Sequence, residues 1–217
     1  MRHQRLKILL SKKFMNVKPT IVTVFDFDET LVLDNSLGYL FEELANKAYW
    51  TAAIPAVLKS LLCLNVGYKL RLSVKKALYK RYLKGCSESV IYQAGTSAAR
   101  RLTINTKVMD QLNLANELGE TIIIATASPR LYVFAVLDKL GVPRSKVIGT
   151  EIDLETGHIL GRECSREAKW DAIRGELKTL GNSTIKAFGN SPDDLFMLKQ
   201  VDQGFLVKGS SICLYKM

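Results

Sequence analysis

Two carboxylates spaced two residues apart, Asp26 and Asp28, close a short apolar run in the stretch Val24-Phe25-Asp26-Phe27-Asp28-Glu29-Thr30-Leu31. Side chains alternate along a strand, so a strand carried through this stretch points both carboxylates the same way. Crowded at the open end of a buried strand, they repel each other unless a cation lies between them or one keeps its proton. Such a pair can divide labour: one carboxylate attacks a phosphorus atom, and the other protonates the leaving oxygen and then activates water. The same residues also fit an acidic strand-end turn in which Asp28 or Thr30 caps the next element. The rest of the chain has to decide between the two.

Three more places offer matching chemistry. Thr126, with Ala127 and Ser128 after it, follows the apolar run Thr121–Ala125, and its hydroxyl and the next helix's free N–H groups can hold a phosphate oxygen. As a lone threonine before a helix it is equally an N-cap. Gly189-Asn190-Ser191-Pro192-Asp193-Asp194 follows Thr184–Phe188, and Asn190 and Asp194 there can give oxygens to a hard cation such as Mg²⁺. Alone it is an ordinary helix start with acids in the first turn. Lys169 opens the helix after Ser165, where a single lysine is usually solvated.

The elements that must position these residues are legible from pattern. Thr20–Phe25 is β-branched and apolar, a buried strand. Beyond it the spacing predicts helices at Val108–Leu118, Arg130–Leu140, Arg166–Leu180 and Pro192–Gln200, and strands at Thr121–Ala125, Lys146–Gly149, Thr184–Phe188 and Gly204–Val207. A hairpin over Glu151–Leu160 turns at Thr156-Gly157. Alternating strands and helices imply parallel βαβ units, hence an α/β doubly wound parallel sheet whose ligands bind beyond the carboxyl ends of the strands. Residues 36–111 instead read as helical throughout, broken near Pro55, Asn65-Val66-Gly67 and Gly85. The expected organisation is a basic tail over 1–18, a core over 19–34 and 112–217, and an inserted all-helical cap over 35–111.

Charge follows that division. Of a net charge of +10 over 217 residues, residues 1–18 carry +6, 19–46 carry −6, 47–107 carry +11 and 108–217 carry −1. The tail MRHQRLKILLSKKFMNVK is too interrupted by lysine for a signal peptide, and reads as a frayed leader or a short basic helix on an anionic membrane. Ala48 to Tyr68 carries one charge, Lys59, but Pro55 in its middle argues against a spanning helix. It reads as core-facing helices or as a surface touching lipid, with Tyr49 and Trp50 at the interface and Lys69, Arg71, Lys75 and Lys76 on headgroups. The four cysteines are dispersed without a C-x-x-C pair, which fits reduced thiols in a cytosolic protein. His3 and His158 are the only histidines, which argues against a histidine metal cluster and a Ser-His-Asp triad.

Together these residues resemble the haloacid dehalogenase-like (HAD) superfamily of phosphohydrolases: Asp26-Phe27-Asp28-Glu29-Thr30-Leu31 for the first motif, Thr126 for the second, Lys169 for the third and Gly189-Asn190-Ser191-x-x-Asp194 for the fourth. The resemblance covers about 19–34 and 112–208, and a helical cap placed straight after the first motif is similar to the phosphoserine phosphatase-like branch. It implies Asp26 as the nucleophile that becomes an aspartyl phosphate and Asp28 as acid and base. Thr126, Ala127, Ser128 and Lys169 would hold the phosphoryl oxygens. Mg²⁺ would lie on Asp26, the backbone carbonyl of Asp28, and Asn190 or Asp194.

Two positions depart from the pattern: Glu29 stands where the family often has Gly, and Asn190 where it usually has Asp. The second removes a negative charge from the cation site and a possible partner from Lys169. The expectation is a Mg²⁺-dependent phosphomonoester hydrolase. Its basic, partly apolar insert favours a bulky or lipid phosphate substrate, with peripheral contact at the inner face of a membrane. Arg130, Tyr39, Phe41 and Arg71 are candidate pocket residues by position alone. The alternative is a catalytically weakened member that binds a membrane surface or another polyanion through the cap. No motif for specific nucleic-acid recognition is present.

Overall fold

The computed structural model describes residues 20–45, 51, 53–62, 67–142, 145–181 and 183–217, without the side chains of 60–62. The tail reading and the roles given to Tyr49 and Trp50 lie outside these residues.

Six strands form one sheet in the order β3-β2-β1-β6-β7-β8. They are β1 (Thr20–Phe25), β2 (Thr121–Pro129), β3 (Lys146–Thr150), β6 (Ser183–Gly189), β7 (Gln203–Lys208) and β8 (Ser211–Lys216). All neighbours pair in parallel except β7 with β8. The hairpin is present as β4 (Ile152–Asp153) with β5 (His158–Ile159), and Gly157 takes φ 73° in its turn.

The sheet is buried on both faces because apolar residues on its central strands point to both sides. Val22 and Val24 of β1 and Ile123 and Ala125 of β2 face one side, with Ile173 and Leu177; Phe25, Ile122 and Ile124 face the other. On that second side Phe25, Phe188 and Phe205 stack across β1, β6 and β7, with ring centroids 4.8 and 4.7 Å apart. Adjacent aromatic pairs of this kind contribute about 0.5–1.5 kcal/mol beyond their buried area, so the ladder helps lock the register that brings the ends of β1 and β6 level.

Among the described residues, five α-helices run between β1 and β2: α1 (Leu37–Ala45), α2 (Ile54–Leu62), α3 (Tyr68–Tyr82), α4 (Glu88–Ala98) and α5 (Thr106–Glu117). Among the described residues of this insert nothing pairs as a named strand; only a bridge joins Val32 to Ile104. Phe41, Tyr79, Leu83 and Ile91 pack into the same core as Phe25. α4 lies so close to α6 (Arg130–Lys139) that a Cβ on Gly95 would meet the Tyr132 carbonyl at 2.7 Å. α5 starts two residues before the expected Val108, because the Asn105 carbonyl accepts from the N–H groups of Val108 and Met109.

α7 (Arg166–Leu180) matches its expected bounds, and α8 is shorter, Leu195–Leu198 in place of Pro192–Gln200. The shortening has a local cause: the Asp194 carboxylate accepts from the N–H groups of Asn190 and Ser191, at 3.3 and 3.0 Å, and holds 191–194 as a turn. β8 has no counterpart in the sequence reading. Among the described residues no helix is long and apolar enough to cross a membrane.

Candidate active site

β1 ends at Phe25, as expected, but the strand alternation does not carry on through Asp28, and this changes how the two carboxylates come together. Asp26 follows in extended conformation with its N–H donating to the Phe188 carbonyl at 2.9 Å. The chain then makes a wide turn over Phe27–Leu31, closed by the Val32 N–H donating to the Phe27 carbonyl at 3.2 Å, with Asp28 extended and Glu29 at φ 58°. Asp26 and Asp28 face one cleft because of that turn, in place of the strand alternation expected.

A lysine lies between two buried carboxylates here, and the second of them is Asp194, not Asp28. Lys169, in the first turn of α7, places its Nζ 2.7 Å from Asp26 Oδ1 and 2.6 Å from Asp194 Oδ1. All three are buried, at 3%, 5% and 1% exposure. Two buried acids sharing one base cannot both be fully neutralised, and the acids divide accordingly. Burial pushes the Asp26 carboxyl up to about 7, Asp194 adds to the rise, and Lys169 opposes it. Burial also acts to raise Asp194, but the Lys169 ammonium and the Ser191 hydrogen bonds outweigh it and hold that carboxyl below its ordinary value. Burial disfavours the charged lysine, yet its two carboxylates hold Lys169 protonated, above the usual lysine value. Lys169 therefore keeps two carboxylate partners, although one was expected to be missing at Asn190.

The other oxygens of these acids are also held. The Thr30 hydroxyl donates to Asp26 Oδ2 at 2.9 Å, and the Ser191 hydroxyl to Asp194 Oδ2 at 2.6 Å. Asp28 is half-buried; its Oδ1 accepts from the Ser36 N–H at 2.7 Å and its Oδ2 from the Ser128 hydroxyl at 2.6 Å. Gly189 makes room for this assembly: a Cβ there would meet Asp194 Cβ at 2.6 Å.

Asp26, Asp28, Ala127, Ser128, Lys169, Asn190 and Asp194 all line one open cleft of about 130 Å³. Thr126 does not line it: the residue is fully buried, and its hydroxyl accepts from the Ser128 N–H at 3.1 Å, shaping the irregular end of β2 that carries Ala127 and Ser128. Of the position-based guesses, Arg71 reaches the cleft and pairs with Asp193. Arg130 pairs with Glu151 elsewhere, Tyr39 bonds Asp34, and Phe41 is in the core.

Glu163 and Ser165, which the sequence reading passed over, also line the cleft, as does Lys75, which was expected on lipid headgroups and instead pairs with Glu163. Lys75 of α3 donates to the buried Glu163 at 2.8 Å, and Glu163 also accepts from the Ser165 hydroxyl at 2.9 Å. With Arg71–Asp193 this makes two ionic contacts between α3 and the strand-end loops. A +11 insert facing these acids was the available signal, but which lysine meets which acid depends on tertiary placement.

The donor set suits a hard cation. Every side-chain candidate offers oxygen, and Asn190 Oδ1 faces the Thr30 hydroxyl at 3.3 Å. Among the described residues no group of three or more acidic, histidine or cysteine side chains could hold a metal by itself, so a cation here also needs the Asn190 amide oxygen and a backbone carbonyl.

Comparison with curated proteins gives no match. Among solved structures the chain is similar to a protein of unknown function from Bordetella pertussis Tohama I, at 15% identity, covering 86% of this chain and 89% of that one with a TM-score of 0.69. It is similar to a HAD family hydrolase from Salmonella enterica serovar Typhi, at 16% identity over 91% and 68% of the two chains, TM-score 0.61. It is also similar to a substrate-bound phosphoserine phosphatase, at 18% identity over 87% and 86%, TM-score 0.57. At these identities the likeness establishes the fold. A family model for haloacid dehalogenase-like hydrolases matches residues 23–199, spanning all four clusters of the cleft, and the chain belongs to that family.

Proposed function

We propose that this chain is a Mg²⁺-dependent phosphoric monoester hydrolase that works through an aspartyl phosphate on Asp26. The observation that carries the reading is the Asp26–Lys169–Asp194 array, assembled at the ends of β1 and β6 with Asp28 in the same cleft. An unprotonated Asp26 oxygen attacks phosphorus in line, and the bond to the leaving oxygen breaks as Asp28 delivers a proton to it. Asp28 then takes a proton from water, water displaces Asp26 from phosphorus, and inorganic phosphate leaves. The Lys169 ammonium offsets charge on the phosphoryl oxygens, and the backbone around Ala127 and Ser128 borders the same space. Thr126 contributes by holding that end of β2. Mg²⁺ on oxygens of Asp26, the Asp28 carbonyl, Asn190 and Asp194 would neutralise further phosphoryl charge and favour the ionised form of Asp26.

Size and surface favour a bulky or lipid phosphate. The cleft is small and open to solvent, so the leaving group of a bound phosphate can project outward. Outside, α2 exposes Ile54 and Leu58 at 54% and 57%, and α3 carries Lys69, Lys76, Lys80 and Arg81 with no acid, while its Arg71 and Lys75 pair with Asp193 and Glu163 at the cleft. Apolar side chains beside a basic helix suit a peripheral contact with anionic lipid. The binding-only reading rests on Asn190, and it is weakened by Lys169 retaining both carboxylates. The test is phosphate release from an aryl phosphate and from small and lipid phosphate monoesters, with Mg²⁺ or EDTA. Metal-dependent release that is lost in Asp26→Asn is expected; steady turnover by that variant refutes the mechanism.

A further inference from the structure

Glu29 and Asn190, 161 residues apart, meet at the rim of the cleft: Asn190 Nδ2 donates to Glu29 Oε2 at 3.0 Å. Both line the space shared by Asp26, Asp28 and Asp194. The structure assigns Glu29 a role that neither motif spacing nor family membership supplies. We propose that Glu29 is a positioning residue for the cation, which turns the Asn190 amide oxygen toward the cleft and adds a negative charge that asparagine lacks. The proposal rests on the metal-dependent reading above.

The argument is one of donors and acceptors. A carboxylate only accepts, so Glu29 selects the amide orientation with nitrogen outward and oxygen inward; the flipped amide would set a carbonyl oxygen against the carboxylate. On the inner side Asn190 Oδ1 is 3.3 Å from the Thr30 hydroxyl, whose closer contact is Asp26 Oδ2 at 2.9 Å. A hydroxyl has one proton, and the nearer contact to Asp26 takes it, so the Asn190 oxygen keeps its lone pairs for a cation. Charge points the same way: Lys169 offsets one of the carboxylates it bridges, and Glu29 restores one at the exposed edge.

The backbone is a third consideration. Glu29 holds φ 58°, a conformation open to glycine and unfavourable for a residue with a Cβ, with its N–H donating to the Asp34 carbonyl at 3.2 Å. Glycine here would relax the turn, so the Glu29 side chain costs local stability.

That opposition makes the test decisive. Mg²⁺ is titrated calorimetrically into wild type, Glu29→Gly, Glu29→Gln and the exchange Glu29→Gln with Asn190→Asp, and metal-free melting is recorded for each. Both single variants are expected to bind Mg²⁺ roughly threefold to tenfold more weakly, while metal-free Glu29→Gly melts no lower than wild type. The exchanged pair, which swaps amide and carboxylate across one hydrogen bond, is expected to return to within about twofold of wild type. Wild-type affinity in Glu29→Gly overturns the assignment and leaves the hydrolase reading standing. Failure of the wild type to take up Mg²⁺ overturns both.

Discussion

Lys169 and Asp26 lie 143 residues apart in the chain and 2.7 Å apart in space, Nζ to Oδ1, with almost no solvent at either side chain. The same ammonium is 2.6 Å from Asp194. Replacing Lys169 by alanine leaves two carboxylates buried without a counter-charge, and breaking a buried pair in this way costs about 3–5 kcal/mol. Lys169→Ala is therefore expected to lower stability by that order in urea unfolding and to abolish phosphate release. A loss under about 1 kcal/mol would mean that the carboxylates find water or protons easily, and the array would not be the rigid unit described.

The raised Asp26 carboxyl gives the metal-free protein a pH signature. Its folded value of about 7 exceeds the unfolded 3.8, so between those limits the folded state holds the extra proton. Stability from this group is then fully present below pH 3.8 and is lost as pH rises toward 7. Asp194, depressed in the fold, works oppositely, and its contribution fades as pH falls through its folded value. Thermal melts in EDTA from pH 4 to 8 should show stability falling across the window, and Asp26→Asn should flatten the slope.

How much of this was legible depended on whether a residue's environment is local. Thr20–Phe25 and Arg166–Leu180 were readable because a strand buried on both faces is largely apolar and a helix shows its period in one segment. β8 was missed because Ser211–Lys216 is mostly exposed and its inward apolar side chains are few, although Gly209-Ser210, with φ 56° at Gly209, is a hairpin turn signal. The turn before α8 was mistaken for helix because Asp194 satisfies the N–H groups of Asn190 and Ser191 by its side chain, which pattern alone cannot reveal. Asp26, Asp28, Lys169 and Asp194 were found as types at strand ends and helix starts. That Lys169 would join two of them, and that Glu29 would hold Asn190, are facts of tertiary contact.

The two ionic contacts from α3 differ in burial and so in worth. Arg71–Asp193 is largely exposed on the arginine side, and such pairs contribute about 0–1 kcal/mol. Lys75–Glu163 joins side chains exposed at 17% and 2%. Arg71→Ala is expected to leave stability nearly unchanged and, if its guanidinium meets the projecting part of the substrate, to raise KM more than it lowers kcat. Lys75→Ala strands a buried carboxylate and should lower stability by about 1–3 kcal/mol in the same urea assay. Equal effects of the two would contradict the burial difference.

Two glycines test whether tight packing acts on stability or on chemistry. A Cβ on Gly95 would lie 2.7 Å from the Tyr132 carbonyl and 2.8 Å from Ala135 Cβ, between helices and away from the acids. Overpacking of this kind costs about 1–3 kcal/mol, so Gly95→Ala should melt lower, with kcat of the surviving folded protein near wild type. A Cβ on Gly189 would lie 2.6 Å from Asp194 Cβ and 2.9 Å from its Cγ. Asp194 must then move, and with it the oxygen that Lys169 holds, so Gly189→Ala should lower kcat by about tenfold or more, since a displacement near 1 Å at reacting groups can cost up to about a hundredfold. Measuring kcat and melting temperature for both separates the cases. Loss of activity in Gly95→Ala without loss of stability would show that α4 and α6 reach the cleft by a route absent from the contacts described.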